Sequence, residues 1–211
     1  MRKIFVTTLL LGSAVSVFAQ GTVYFSNNAF EKIFLSFNPP AEVWTVMPAT
    51  AGLFNFGLFY GTGVTQPATL SFLGVSGYSS ATSAGFIVNA SGSSITALPI
   101  PGTTPGETDV WIQIAGWTAT FGTNWAGAQA AAQTTTGNYF GRSPVINVAP
   151  AAGGLGPTTG PGAIIWQTAT GTDPTKIAGG LVLYTTLVPE PSTMALFGLG
   201  VAAVLIFRRR K

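Results

Sequence analysis

Apolar positions are spread unevenly along the chain. The long apolar stretches lie at the two ends, the first broken only by Thr7, Thr8, Gly12, Ser13 and Ser16, and between them apolar residues come in short runs separated by Gly, Pro, Asn and Ser. The inner runs are Thr22–Phe25, Lys32–Phe37, Ala41–Met47, Leu53–Tyr60, Gly85–Asn89, Asp109–Thr120, Ser143–Val148, Ala163–Thr168 and Gly180–Leu187. They are rich in β-branched and aromatic residues, and several alternate, so each predicts a strand. The stretch 109–120 is the clearest. It sets Val110, Ile112 and Ile114 on one face and Trp111, Gln113 and Trp117 on the other, because successive strand side chains point to opposite sides.

One helix is predicted. Asn124 is placed to cap it, and Trp125–Gln133 has the alanine content that helices favour, with Gly127 as a weak point. In a β-domain such a piece covers an open end. Ala149–Gly162 is rich in Pro and Gly and reads as a loop. Many short strands at turn-punctuated spacing predict an all-β domain, a two-sheet, jelly-roll-like sandwich with one short helix. A β-helix competes, but no internal repeat supports it.

The two ends read as addresses. Met1-Arg2-Lys3 is a positive n-region, Ile4 to Val17 an apolar core, and Val17-Phe18-Ala19 a small-residue cleavage site that leaves Gln20 as the new N-terminus. An uncleaved anchor is the alternative, and the short core disfavours it. At the other end Val188-Pro-Glu-Pro-Ser-Thr193 precedes a uniformly apolar run, Met194 to Phe207, and then Arg208, Arg209, Arg210 and Lys211. A helix over 193–207 has no polar face with which to join a soluble core. Its fourteen apolar residues from 194 to 207 span about 21 Å, so flanking residues must extend its reach across a bilayer. The cationic end holds the tail inside and the passenger outside.

Pro-Glu-Pro, a short apolar helix and an Arg-rich terminus, in that order, resemble the PEP-CTERM sorting signal of Gram-negative bacteria. The resemblance implies handling by exosortase, a membrane-embedded transpeptidase-like enzyme, with Pro189, Glu190 and Pro191 as the recognition site. It further implies that the helix is a transient single-pass anchor in the inner membrane, and that exopolysaccharide is a possible partner. A permanent tail anchor is the bland alternative. Gln20-Gly-Thr-Val-Tyr-Phe-Ser-Asn-Asn28 resembles the opening of PEP-CTERM proteins from verrucomicrobial genomes, whose passengers bring no activity to carry over. The resulting division is a signal peptide at 1–19, a passenger at 20–187 and a sorting signal at 188–211.

Composition changes the picture chiefly by exclusion. The formal charge of +3 is misleading, because six of the basic residues lie in the two addresses. The passenger keeps Lys32, Arg142 and Lys176 against Glu31, Glu42, Glu107, Asp109 and Asp173. It has no basic face with which to displace counterions from phosphates, which excludes nucleic acid as a partner. The chain has no cysteine and no histidine. Disulfides, thiolate metal sites and the usual general base at neutral pH are therefore absent.

Little catalytic inventory remains, and no cofactor is expected. A Ser–Lys dyad would need Lys32 or Lys176, and no Gly-x-Ser-x-Gly or Ser-x-x-Lys motif accompanies them. Glu107 and Asp109 invite two functional readings, paired carboxylates for glycoside hydrolysis or oxygen ligands for calcium. The simpler reading is a solvated turn at Pro105-Gly106-Glu107 entering a strand. Gly153-Gly-Leu-Gly156 and Gly160-Pro-Gly162 lack the following helix that a phosphate loop needs. Asn89-Ala-Ser91 matches a glycosylation sequon by composition alone. Trp44, Trp111, Trp117, Trp125 and Trp166, with Tyr60, Tyr78 and Tyr139, either fill a core or present a sugar-stacking face. The expectation is a non-enzymatic exported protein of the cell envelope or extracellular matrix, structural or adhesive in role, processed by signal peptidase and exosortase. An exopolysaccharide-binding module is the alternative.

Overall fold

The computed structural model describes residues 20–36, 44–132, 138–151 and 163–185. These form fourteen strands and one α-helix. The strands are β1 (Thr22–Tyr24), β2 (Ile33–Ser36), β3 (Trp44–Val46), β4 (Phe54–Thr62), β5 (Ser71–Ser79), β6 (Ile87–Val88) and β7 (Leu98–Pro99). Then follow β8 (Val110–Thr118), a 3-10 turn (Ala119–Phe121), α1 (Trp125–Ala132), β9 (Tyr139–Arg142), β10 (Ile146–Val148), β11 (Ala163–Ile164), β12 (Trp166–Gln167), β13 (Ile177–Ala178) and β14 (Leu181–Thr185). The predicted β-rich class with a single short helix is what forms. The predicted signal helix and tail helix lie outside the described residues, and among those described no helix is long and apolar enough to cross a membrane.

The strands are shared unequally. Nine make one large sheet in the order β3-β2-β14-β9-β8-β4-β5-β6, with β10 also on β8; three make the sheet β11-β1-β7, and β12 pairs with β13. Most pairings are antiparallel, but β2 with β14, β1 with β11 and β12 with β13 are parallel. Pro99 lacks an N–H for a ladder, and it falls in β7, an edge strand of the small sheet, where that is tolerated.

β8 organises the large sheet as its alternation predicts. Val110, Ile112 and Ile114 are wholly buried on one face, each contributing roughly 1.5–3 kcal/mol of apolar burial. They meet Phe54, Phe56 and Leu58 of β4, and the same cluster takes in Val23, Phe25, Ile100, Ile165, Trp166 and Ile177 from the small sheets and their loops. The opposite face carries a second, smaller cluster of Phe59, Ala115, Trp117, Trp125 and Ala128, which is where α1 packs. The helix thus lies on a sheet face and does not cover an open end as its place in a β-domain predicts. Asn124 caps it, its side-chain oxygen accepting from the Ala126 N–H at 3.0 Å.

One edge of β8 serves two strands. Its first half pairs with β10 and its second half with β9. At the changeover the ladder is carried by Ser143. Its N–H donates to the Ile114 carbonyl at 2.8 Å, and its hydroxyl accepts from the Ile114 N–H at 2.9 Å while donating to the Pro144 carbonyl at 2.8 Å.

A second polar fixture is Asn27, buried just after β1. Its amide group donates to the carbonyls of Glu31 and Gly85, both at 2.7 Å, and its oxygen accepts from the Ile87 N–H at 2.8 Å. Beside it, Gly180 turns the chain into β14 at φ +84°, and a Cβ there would collide with the Lys32 carbonyl. That close approach lets β14 enter alongside β2.

Candidate functional site

The two addresses bracket the described chain. Ala19, Pro189, Glu190, Pro191 and Arg208, Arg209, Arg210 and Lys211 lie outside the described residues, and Gln20 is the first within them. From Gly21 onward the backbone is already part of the fold. The Gly21 N–H donates to the Thr103 carbonyl, its own carbonyl accepts from Ile100, and a Cβ at this position would strike the Pro150 ring. The last described strand, β14, ends at Thr185, three residues before the sorting signal at 188–211.

Among the described residues the richest constellation of side chains sits on the α1 face. Trp125 packs edge-on against Trp117 with ring centroids 5.5 Å apart, and against Phe59 at 6.1 Å. Phe59 lies 4.9 Å from Phe72. Over this cluster runs Arg142 of β9. Its guanidinium carbon is 4.6 Å from the Phe59 centroid and 4.6 Å from the Trp125 centroid. Partial desolvation lowers the arginine's proton affinity, yet a guanidinium keeps its charge in a protein. A long 3.5 Å contact joins it to Gln113 Oε1, whose amide donates in turn to the Ser143 carbonyl.

The sheet register explains the assembly. Ala115 is opposite Arg142, and Gln113 is opposite Phe59, so strand pairing brings the guanidinium to Phe59, while α1 supplies Trp125 as the second ring. Trp111 lies two residues before Gln113 on the same face, half-buried, with its indole N–H tied to the Gly63 carbonyl at 2.8 Å. Trp111, Gln113 and Arg142 therefore form a row that can stack on a flat ring and bond an anionic or hydroxyl-bearing ligand. Arg142 escaped the sequence reading, although its being the single arginine of the passenger was a signal.

The eight aromatics named from the sequence do not gather on one platform. Trp117, Trp125 and Trp166 are buried, and the Trp166 indole donates to the Phe25 carbonyl at 3.1 Å. Tyr139 is buried too, which raises its phenol's pKa. The Trp125 indole N–H is buried without a partner among the described residues. Tyr60 and Tyr78 are half-buried. Trp44, on the edge strand β3, is the exposed one, at 55%.

The acidic pair is placed at a turn. Glu107 Oε2 accepts from the Thr104 N–H at 3.0 Å, closing the Pro105-Gly106 turn that precedes β8. Among the described residues no three His, Cys, Asp or Glu side chains gather as a metal set. Lys176 is engaged with Asp173 at 3.2 Å in an exposed turn; hydrogen bonds from the Thr175 hydroxyl and N–H, with Lys176 adding to them, hold that carboxyl below its usual range. Lys32 lies beside Gly85 and Val46. Asn89 closes its own turn, accepting from the N–H groups of Ser91 and Ser93. The glycine-rich stretch 153–162 lies outside the described residues.

Glu31 is the residue whose setting the sequence did not disclose. It is 2% exposed, with one carboxylate oxygen unpartnered. Desolvation raises its pKa, against the lowering effect of hydrogen bonds from the Asn28 backbone and side chain.

Comparison with known proteins adds one match. Residues 187–211 fit the family model described as the PEP-CTERM protein-sorting motif. The match leaves the Gln20–Asn28 opening without a counterpart, and no curated protein and no solved structure matches the chain. A chain carrying this motif is exported, holds a membrane-anchored sorting signal at its C-terminus, and is processed by exosortase.

Proposed function

We propose that the protein is a non-catalytic structural or adhesive component of a Gram-negative envelope, displayed outside the inner membrane once its tail has been processed. The observation that carries this reading is the sorting motif at 187–211. The passenger supports it. A nine-stranded sheet backed on one face by smaller sheets reads as a β-sandwich, a rigid architecture suited to display. Among the described residues Glu107, Asp173 and Lys176 are engaged in turns, and Arg142 is stacked on rings.

Intact mass of the protein from native cells, membrane and medium separately, tests the proposal. A species that begins at Gln20 and ends near Pro189–Pro191 is the expected product. Replacing Pro189 and Pro191 with Ala is expected to trap a membrane-bound form ending at Lys211. A wild-type protein that always ends at Lys211 would make the tail a permanent anchor and sink the sorting step.

A second reading, recognition of exopolysaccharide, is favoured by the row Trp111, Gln113 and Arg142. Its test is binding of the secreted protein to the cell's own polysaccharide. The Arg142→Met variant keeps the packing over Phe59 and Trp125 but lacks the charge. Equal binding by variant and wild type would remove this face from consideration.

A further inference from the structure

The outer face of the large sheet is only half covered. α1 lies over the β8 and β9 part, where Trp125 meets Trp117 and Phe140. The β14-β2-β3 part carries no helix among the described residues, and its outward side chains are apolar or aromatic except for Ser36, which is buried between its neighbours. Register places Val182, Phe34 and Val46 in one row, because Phe34 is paired with both of the others. The next row holds Tyr184, Ser36 and Trp44. The Phe34 and Trp44 rings are 6.0 Å apart. Trp44 is 55% exposed, Val46 38% and Tyr184 38%. The alternate residues Ile33, Leu35, Leu181 and Leu183 point the other way and are buried.

The strands that make the patch carry no charged side chain. Lys32 stands at its rim, since a Cβ at Gly85 would touch both Lys32 and Val46. Glu42 belongs to the segment 37–43, outside the described residues. Edge strands normally protect themselves with charge, proline or a bulge, and Trp44-Thr45-Val46 has none of these.

Where the chain leaves this patch decides what covers it. Tyr184 is the penultimate residue of β14, and the apolar tail begins at Met194. The tether 186–193, with two prolines, spans eight residues and reaches at most about 28 Å. As long as the tail is in the bilayer, the patch is confined within that distance of the headgroups, and its local concentration there is correspondingly high. Trp and Tyr, apolar in body and polar at one end, are the residues that settle at a membrane–water interface. A rim lysine with its charge in water suits anionic headgroups.

We infer that Phe34, Trp44, Val46, Val182 and Tyr184 form a membrane-docking face that lays the passenger on the outer surface of the inner membrane while the tail is in place. The inference rests on the tail reading above. Docking limits the swing of the tether, so Pro189–Pro191 is offered at the bilayer surface in a restricted orientation. Removal of the tail ends the confinement and frees the face.

The test uses the full chain with its leader removed and tail retained, in vesicles of phosphatidylethanolamine and phosphatidylglycerol. The protein has no cysteine, so Val46→Cys and Val64→Cys each take a single environment-sensitive fluorophore. Val64 is 83% exposed, in the β4–β5 loop away from the patch. The expected result is a blue-shifted label at 46, quenched several-fold more than that at 64 by shallow lipid-borne quenchers. Trp44→Gln, which alters no core residue, is expected to reduce the quenching at 46. Equal quenching at the two positions would overturn the docking face. So would shielding at 46 that appears only as protein density on the vesicle rises, which would mean a contact between copies. Shielding only when polysaccharide is added would overturn it as well. A chain that fails to float with vesicles takes down the tail reading and the docking face with it, whereas one that floats with both labels hydrated refutes docking alone.

Discussion

Replacing Asn27 with Asp exchanges one atom group and reverses part of a buried network. Because only an oxygen can accept the Ile87 N–H, that bond fixes the amide orientation and points the NH2 group at the carbonyls of Glu31 and Gly85. An aspartate keeps the acceptor and loses both donors, leaving an ionised oxygen facing two carbonyl oxygens at a position that is 4% exposed. Two lost hydrogen bonds cost about 0.5–1.5 kcal/mol each, and the uncompensated charge adds about 1–3. The sum is roughly 2–6 kcal/mol at neutral pH, against an ordinary domain stability of about 5–15. At about 2–4 °C per kcal/mol, that is a loss of roughly 4–24 °C in Tm.

The sign with pH follows from the proton. Once protonated, the introduced carboxyl regains a donor, so its folded pKa is raised above the unfolded value. The folded state then binds more protons in the window between those two values, and stability falls as pH rises through it. Thermal unfolding followed by tryptophan fluorescence at pH 4.5 and 7.5 reads both quantities. The deficit of Asn27→Asp should be larger at pH 7.5, whereas that of Asn27→Ala, which has no titrating group, should keep the wild type's own pH dependence. If the Asp and Ala variants lose the same amount at both pH values, the amide is not what ties these three segments together.

Three further outcomes follow from the same reasoning. Ser143→Ala strands the buried Ile114 N–H at the β9–β10 changeover and should cost about 1–3 kcal/mol; chemical denaturation should show this as a lower midpoint with an unchanged m-value. Glu31→Gln removes a carboxyl whose pKa burial has raised. The wild type's penalty is absent below the unfolded value and grows as pH rises through the folded one. The variant should therefore gain stability over wild type at pH 7 and lose that gain below about pH 4, and a gain independent of pH would contradict it. Arg142→Ala removes a cation stacked on two rings together with the stem that covers them, worth about 0.5–2 kcal/mol; unfolding midpoints should show more of this loss recovered by Arg142→Met than by Arg142→Ser.

How far the sequence disclosed this molecule depended on whether a local pattern matched a local cause. The alternation of Val110, Ile112 and Ile114 is enforced by burial on one face of β8, so it was legible, as was the Asn124 cap of α1. β5 was not foreseen. Its Ser71-Phe-Leu-Gly-Val-Ser-Gly-Tyr-Ser79 run carries little alternation, because its pairing with β4 shifts register between Phe56 and Gly57 and again between Leu58 and Phe59. Each shift breaks the two-residue period on which the reading relies. Tyr139–Arg142 and Ile177–Ala178 were too short to signal. The predicted run 163–168 divides at Ile165 between two sheets. The Arg142 stack and the Asn27 corner depend on residues brought together only by pairing, and no spacing in the chain announces them. The sorting motif, by contrast, is read by its own sequence, and residues 187–211 match it.

β14 is the last strand among the described residues, yet it is an interior strand. It is bordered by β2 on one side and β9 on the other. Until it is in place, β3-β2 and the block from β9 to β6 are two separate pieces with raw edges facing each other. A chain that crosses a membrane N-terminus first delivers β14 only when little more than the sorting tail has still to emerge. Completion of the sheet and arrival of the tail are thus nearly one event, and the strand that closes the fold is covalently continuous with the segment that exosortase receives. Order of emergence then acts as a timer: the tail comes within reach of its enzyme as the passenger becomes able to lock. Any tension later drawn through the tail falls first on β14, along the length of its ladders with β2 and β9, in shear.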